Sequence, residues 1–125
     1  MKKKILMVDD DLDLCLIFKT VFEHLGYESV FAVNGAEAVK IATTHKPDLI
    51  LMDIIMPKMN GYQATRMIRQ NPKTSSIPVI ALTALTSSEE REECFQSGCD
   101  DHVAKPFKIK DLASRIEKLL KQDSA

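Results

Sequence analysis

Charge of one sign is missing from this chain. Lysine and arginine number 17 against 18 aspartate and glutamate, a net charge near −1. Bulk charge therefore gives no basis for binding nucleic acid or a membrane surface. Long apolar runs are missing too, and no stretch could span a bilayer. Lys2-Lys3-Lys4 has the look of a secretory leader, but the apolar run behind it, residues 5–8, meets three aspartates and is far too short. Cysteine is scarce: three residues, an odd number without framework spacing, fit a reducing cytoplasm rather than a disulfide scaffold. No linker, repeat or low-complexity segment interrupts the chain. What remains is 125 residues of ordinary globular composition, expected to form one domain over residues 1–125 with its own core. The starting Met1 suggests a natural N-terminus.

Strand-like runs alternate with helical patterns five times along that length. Residues 4–8 form the first run. Leu14, Ile17, Phe18, Val21, Phe22 and Leu25 then repeat at the spacing of one helix face, stopped by Gly26. Residues 29–33 are β-branched and aromatic, as strands favour. Asn34 and Glu37 open a second helix that ends at Lys46-Pro47. Residues 49–52 make a third strand, and residues 62–70 a helix with Ala64, Met67 and Ile68 inward. Residues 78–82 make a fourth strand. Ser87 and Glu90 cap a mostly polar helix whose apolar contacts are Cys94 and Phe95 and whose stop is Gly98. Residues 102–104 form a short last strand. Ile109, Leu112, Ala113, Ile116, Leu119 and Leu120 mark the final helix. This alternation predicts an α/β fold, a doubly wound parallel sheet with helices on both faces. In such sheets the ligand site lies at the carboxyl ends of the strands.

The residues at those ends are chemically selective. The first strand delivers Asp9, Asp10 and Asp11, the third Asp53, the fourth Thr83 and the fifth Lys105. The second strand delivers no obvious functional group and is expected at an edge. A lone aspartate after a strand ordinarily caps a turn. Carboxylates from two strands joined by a hydroxyl and an ammonium are harder to attribute to chance. Crowded carboxylates resist ionising together unless a cation joins them. A hard cation such as Mg²⁺ takes oxygen ligands from carboxylates, water and phosphate. Phosphoryl transfer needs positioning and charge neutralisation, and aspartate is a known nucleophile for it.

Val8-Asp9-Asp10, Met52-Asp53 through Met56-Pro57 with Gly61, Leu82-Thr83-Ala84 and Lys105-Pro106-Phe107 together resemble the receiver domain of two-component response regulators, over essentially the whole chain. The resemblance implies a five-stranded flavodoxin-like sheet of order 2-1-3-4-5. It implies that Asp53 accepts a phosphoryl group from a histidine kinase or phosphotransfer protein, without other enzymatic turnover. Asp10 would bind Mg²⁺ directly, Asp9 directly or through water, and the backbone carbonyl of Ile55 would be a further ligand. Lys105 would contact the phosphoryl group across a cis Lys105-Pro106 bond. Thr83 would move toward it, with the loop that follows. The position three before the lysine is usually aromatic and coupled to the threonine; here it is His102, which either fills the same space or makes signalling pH-sensitive. Ile55 and Leu85, two after the aspartate and the threonine, are both apolar where attacking water would pass, which predicts slow self-dephosphorylation. With no room for an output domain, the message is expected on a surface bounded by Ser88 and Leu120 that binds a downstream protein, with Arg91, Glu92, Lys108, Lys110 and Arg115 at its rim. Residues 62–65 and 81–84 resemble the wording of hybrid-kinase receivers.

Other readings are weaker. Cys94, Cys99 and His102 lack the paired spacing of a zinc site. Cys15 reads as core, Asp11 and Asp13 as helix N-terminal acids, and Asp100-Asp101 as a solvated turn. An aspartate-nucleophile phosphatase would want a second aspartate where Ile55 stands. A flavodoxin-type electron carrier would want glycines and hydroxyls where Asp9-Asp10-Asp11 would repel a phosphate. A receiver used only for binding would not need the full acidic, threonine and lysine set.

Overall fold

Each apolar run becomes a strand of one sheet. In the computed structural model, which describes residues 2–54, 59–84 and 87–123, β1 (Lys4–Val8), β2 (Glu28–Ala32), β3 (Leu49–Asp53), β4 (Val79–Thr83) and β5 (Asp101–Ala104) are all parallel, in the order β2-β1-β3-β4-β5. β3 and β4 are buried at every residue because each has a strand on both sides and helices on both faces. β2, the strand without a functional group at its end, is at an edge.

Alternation along the strands divides the apolar residues between two faces. Leu6, Val8, Ile50, Met52, Val79 and Ala81 face α2 (Gly35–His45), α3 (Gly61–Gln70) and α4 (Ser88–Ser97). Ile5, Met7, Leu49, Leu51, Ile80, Leu82 and Val103 face α1 (Leu12–His24) and α5 (Ile109–Asp123). Phe18 and Phe22 stack at 5.4 Å, and Phe107 tilts onto Phe18 at 5.8 Å. Four helices begin with the same device: the side chains of Asp11, Asn34, Asn60 and Ser87 accept from the amides of Leu14, Glu37, Gln63 and Glu90. Each such cap is worth about 1 kcal/mol. Gly98 closes α4 at φ 108. α2 ends in the left-handed region at Lys46, φ 48, rather than at a glycine.

Several expected inward residues point out. Ile17 on α1, Leu25 at its C-cap, Met67 on α3 and Phe95 on α4 are 56%, 45%, 43% and 52% exposed. On α1 the buried positions are Cys15, Phe18 and Phe22, a narrower stripe than the apolar residues would allow. On α3, small residues, Gly61, Ala64 and Thr65, take the inward places beside Ile68. Helical spacing cannot say which residues of a broad apolar face meet the sheet.

Asp100 is exposed in its turn, as the sequence suggests, while Asp101 belongs to β5, and both carboxylates are held by tertiary partners. Asp100 Oδ2 accepts from the Val79 amide and from Arg69 Nη2, both at 2.8 Å. Both Asp101 oxygens accept from Arg115 Nη1 at 2.8 Å, and Asp101 starts β5. Arg69 also donates to the carbonyls of Gly98 (2.9 Å), Ser75 (3.1 Å) and Ile77 (2.6 Å). One guanidinium thus ties α3 to the start of β4 and the α4–β5 turn, which no local pattern announces. Arg69→Met keeps the stem and removes every donor. Charge-assisted hydrogen bonds of this kind are worth about 1.5–3 kcal/mol, so urea unfolding should show a loss of about that size. A change below about 0.5 kcal/mol, the usual limit for an incidental surface substitution, would mean the clamp is ornamental.

Candidate functional site

The carboxyl ends of β1, β3, β4 and β5 meet on one rim. Parallel register does this: Val8 pairs with Met52, Asp53 with Leu82, and Thr83 with Ala104. The next residues on β1 and β5 are Asp9 and Lys105. Asp9 is 2% exposed, Asp53 7% and Thr83 3%, while Asp10 is exposed. Lys105 Nζ lies 3.3 Å from Asp9 Oδ2 and 3.5 Å from Asp53 Oδ1. Carboxylate oxygens of Asp9, Asp10 and Asp53 all fall within 4.8 Å of one another, and among the described residues this is the group able to hold a metal ion. Cys94 and Cys99 instead belong to the buried core.

Backbone bonds fix the frame around these groups. The Lys105 amide donates to the Thr83 carbonyl at 2.7 Å, and the Asp9 amide to the Ala32 carbonyl at 3.1 Å. The Lys105-Pro106 bond is cis, as the resemblance implied. Phe107, just beyond, packs on Phe18. The Asp9 Oδ1 atom accepts from the Asp11 amide at 3.0 Å. Asp11 itself turns away to cap α1 and does not join the cluster. The Gly61 amide donates to the Ile54 carbonyl at 2.9 Å, and a Cβ at Gly61 would lie 2.5 Å from the Asp53 carbonyl oxygen. The sequence shows Gly61 only as a turn residue; the need for an absent side chain arises from a close approach made through tertiary structure.

Three carboxylates against one ammonium leave the pocket with excess negative charge, two of the acids being buried. Every donor in the set is oxygen. Buried charge of this kind requires partners, and an oxygen-only acidic set suits a hard divalent cation rather than a soft one. The residues present fit Mg²⁺. The expected carbonyl ligand at Ile55, and the water-excluding pair Ile55 and Leu85, lie outside the described residues.

His102 is half-buried on β5. Its ring meets the exposed Phe95 ring edge-on at 5.8 Å and 87°. Nδ1 is buried and has no hydrogen-bond partner. Of the expected rim residues, Arg91, Lys108 and Arg115 line a groove with His102 between α4, β5 and α5. Lys110 lines a different groove, between α1 and α5. Glu92 accepts from Gln96 along α4.

Residues 5–117 match the family model described as the response regulator receiver domain. The chain is 42% identical over 121 residues to a probable transcriptional regulator, ycf27, of Cyanophora paradoxa, covering 97% of this chain and 49% of that protein. It is 34% identical to the polar-differentiation response regulator DivK of Brucella anthropi, covering 96% and 98% of the two chains. The chain thus spans about half the length of the curated transcriptional regulators it matches. The receiver domain of the sensor histidine kinase PA1611 from Pseudomonas aeruginosa, solved with a magnesium ion in its active-site cleft, superposes with a TM-score of 0.88 at 35% identity, covering 97% and 99%. Among the described residues, no helix is long and apolar enough to cross a membrane.

Cys94 and Cys99 lie in the core away from the cluster, while the Cys15 thiol donates to the Asp9 backbone carbonyl at 3.7 Å. Burial, with Asp9 next, pushes Cys15 from 9.0 up to about 11, and burial does the same to Cys99; Cys94 is also raised by burial. A thiol moved from about 9 to about 11 holds roughly a hundredfold less of the reactive thiolate near neutral pH. A chromogenic disulfide reagent at about pH 8 should therefore label Cys15 and Cys99 at least about a hundredfold more slowly in the native protein than in urea. Comparable rates would show that the thiols are open to solvent.

Proposed function

The chain belongs to the response regulator receiver domain family, as the receiver of a two-component system, and on that premise we propose that Asp53 is the residue through which it is phosphorylated. The observation that carries this is the placement of the Lys105 ammonium between the buried Asp53 and Asp9 carboxylates, with Asp10 alongside. The donor is the phosphohistidine of a histidine kinase or phosphotransfer protein. An Asp53 carboxylate oxygen forms the new P–O bond while the P–N bond breaks, and its electron pair leaves with the imidazole, which is a neutral leaving group once protonated. Asp9, Asp10, Asp53 and the Ile55 backbone carbonyl would hold Mg²⁺, which when bound neutralises phosphoryl and carboxylate oxygens together.

Lys105 supplies the second cation. It already spans Asp9 and Asp53, so a phosphoryl group arriving on Asp53 meets a positioned ammonium rather than one that must be recruited. Thr83, buried at the end of the neighbouring strand, donates its hydroxyl to a phosphoryl oxygen and shifts toward it. The shift draws the following loop with it and alters the α4–β5–α5 surface, through which a downstream protein is bound. On this reading the chain is a signalling module whose only chemistry is its own phosphorylation and dephosphorylation, acting as one domain in the cytoplasm.

Intact mass after incubation with acetyl phosphate tests the chemistry. The parent should gain one phosphoryl adduct in Mg²⁺ and none in chelator. Asp53→Asn should gain none, and Lys105→Met should lose at least about tenfold in rate, the scale of one removed electrostatic contact. An adduct that persists in Asp53→Asn would place the acceptor elsewhere. Adduct lifetime tests the apolar pair: with Ile55 and Leu85 unable to orient water, decay should be slow, and Ile55→Asn should speed it. Unchanged or slower decay in that variant would remove those residues from the account.

A further inference from the structure

Beside the reactive rim the surface turns apolar. A cleft of about 280 Å³ opens between the first half of α1 and the turn after β5, lined by Leu14, Ile17, Phe18, Pro106, Phe107 and Ile109. Among the described residues, Lys105 is the one charged residue in its lining. Lys105 also belongs to the acidic cluster, its Nζ 3.3 Å from Asp9 and 3.5 Å from Asp53. The cleft therefore begins one side chain away from the carboxylate proposed to receive the phosphoryl group. Phe18 is buried at its base, while Ile17 and Ile109, 56% and 39% exposed, stand at its mouth. Ile109 also lines the adjoining groove, where Val21, Leu25 and Ala113 continue the apolar track between α1 and α5.

A cation and an apolar cleft side by side suit a ligand with two unlike ends. The anionic end belongs with Lys105 and with the divalent cation that the acids fit. The apolar end displaces water from the cleft, which a wholly polar phosphodonor leaves wet. An acyl phosphate with an aliphatic chain has that form. In its reaction an Asp53 oxygen forms the new P–O bond while the bond from phosphorus to the acyl oxygen breaks. The electron pair leaves on a carboxylate, which needs no proton. The chain hangs on the leaving group, so the cleft can hold it without touching the phosphorus.

We propose that the cleft between α1 and the turn after β5 selects the small-molecule phosphodonor of this receiver, taking the aliphatic chain of an acyl phosphate whose phosphoryl group is transferred to Asp53. Ile17 and Ile109 set specificity: they touch the chain and none of the reacting atoms. The proposal rests on Asp53 being the acceptor, as put forward above.

The experiment measures second-order rates of phosphoryl adduct formation by intact mass in Mg²⁺, with acetyl phosphate and with hexanoyl phosphate. Burial of one methylene is worth about fourfold in affinity. A hexanoyl chain half-buried in the cleft should therefore react about tenfold faster than the acetyl donor. Ile17→Ser, an exposed position where the fold is not at stake, should reduce the ratio of the two rates by at least about threefold; intrinsic donor reactivity cancels in that comparison. Met67→Ser, an equally simple change at an exposed apolar residue of α3, should keep the parent ratio. A parent that forms the adduct at equal rates from both donors overturns the proposal and leaves the receiver reading intact. So does a raised ratio that survives Ile17→Ser, or one that falls as far in Met67→Ser. Absence of an Asp53 adduct from either donor overturns both.

Discussion

A lysine 96 residues from one carboxylate and 52 from the other lies within 3.5 Å of both, and much of the architecture can be read as what is needed to keep it there. Bringing a third charge into a pocket with two buried acids is favourable only if the geometry is held against water and chain entropy. The parallel register holds it from the sheet side, through the Lys105 amide on the Thr83 carbonyl. Phe107 on Phe18 holds it from the α1 side. The cluster joins residues 96 and 52 apart in sequence, so it is assembled by the fold as a whole and by no local segment.

The same dependence explains the small residues around the site. Gly61 admits the Asp53 carbonyl, and Gly35 lies where a Cβ would meet Met59. Ala81 and Ala104 are the register partners of His102 and Thr83. Large side chains fill the sheet's middle, Ile50, Leu51 and Ile80 among them; at the rim the strands end in polar groups, with Gly61 close by.

Much of this was legible in the sequence. The strands announced themselves because central parallel strands are continuous apolar runs, and Asp53, Asp9 and Lys105 stood out because each follows such a run directly. The strand order was not derivable from periodicity and came from resemblance. Helix faces were legible only approximately: Ile17, Met67 and Phe95 fit the spacing yet lie exposed, since helical spacing does not say which apolar residues of a face meet the sheet. Arg69 and Asp100 were invisible as a pair because their contact depends on where β4 begins relative to α3. The pairing of Asp101 is likewise illegible locally, because its partner, Arg115, is a full helix turn into α5. Tertiary hydrogen bonds between polar residues carry no periodic signature, and those are the features that sequence reading missed.

All five strands run the same way, so the molecule has two unlike ends. β1 sets out from the rim opposite the acidic cluster, and α5, returning from β5, finishes toward that same rim. Whatever precedes or follows this unit in a polypeptide is therefore tethered at the far end from the chemistry. Fusion on either side need not cross the pocket or disturb its register. A module with its reactive groups at one pole and both its attachment points at the other is interchangeable by construction: it can be moved between polypeptide settings as a whole, with adaptation confined to its flanks.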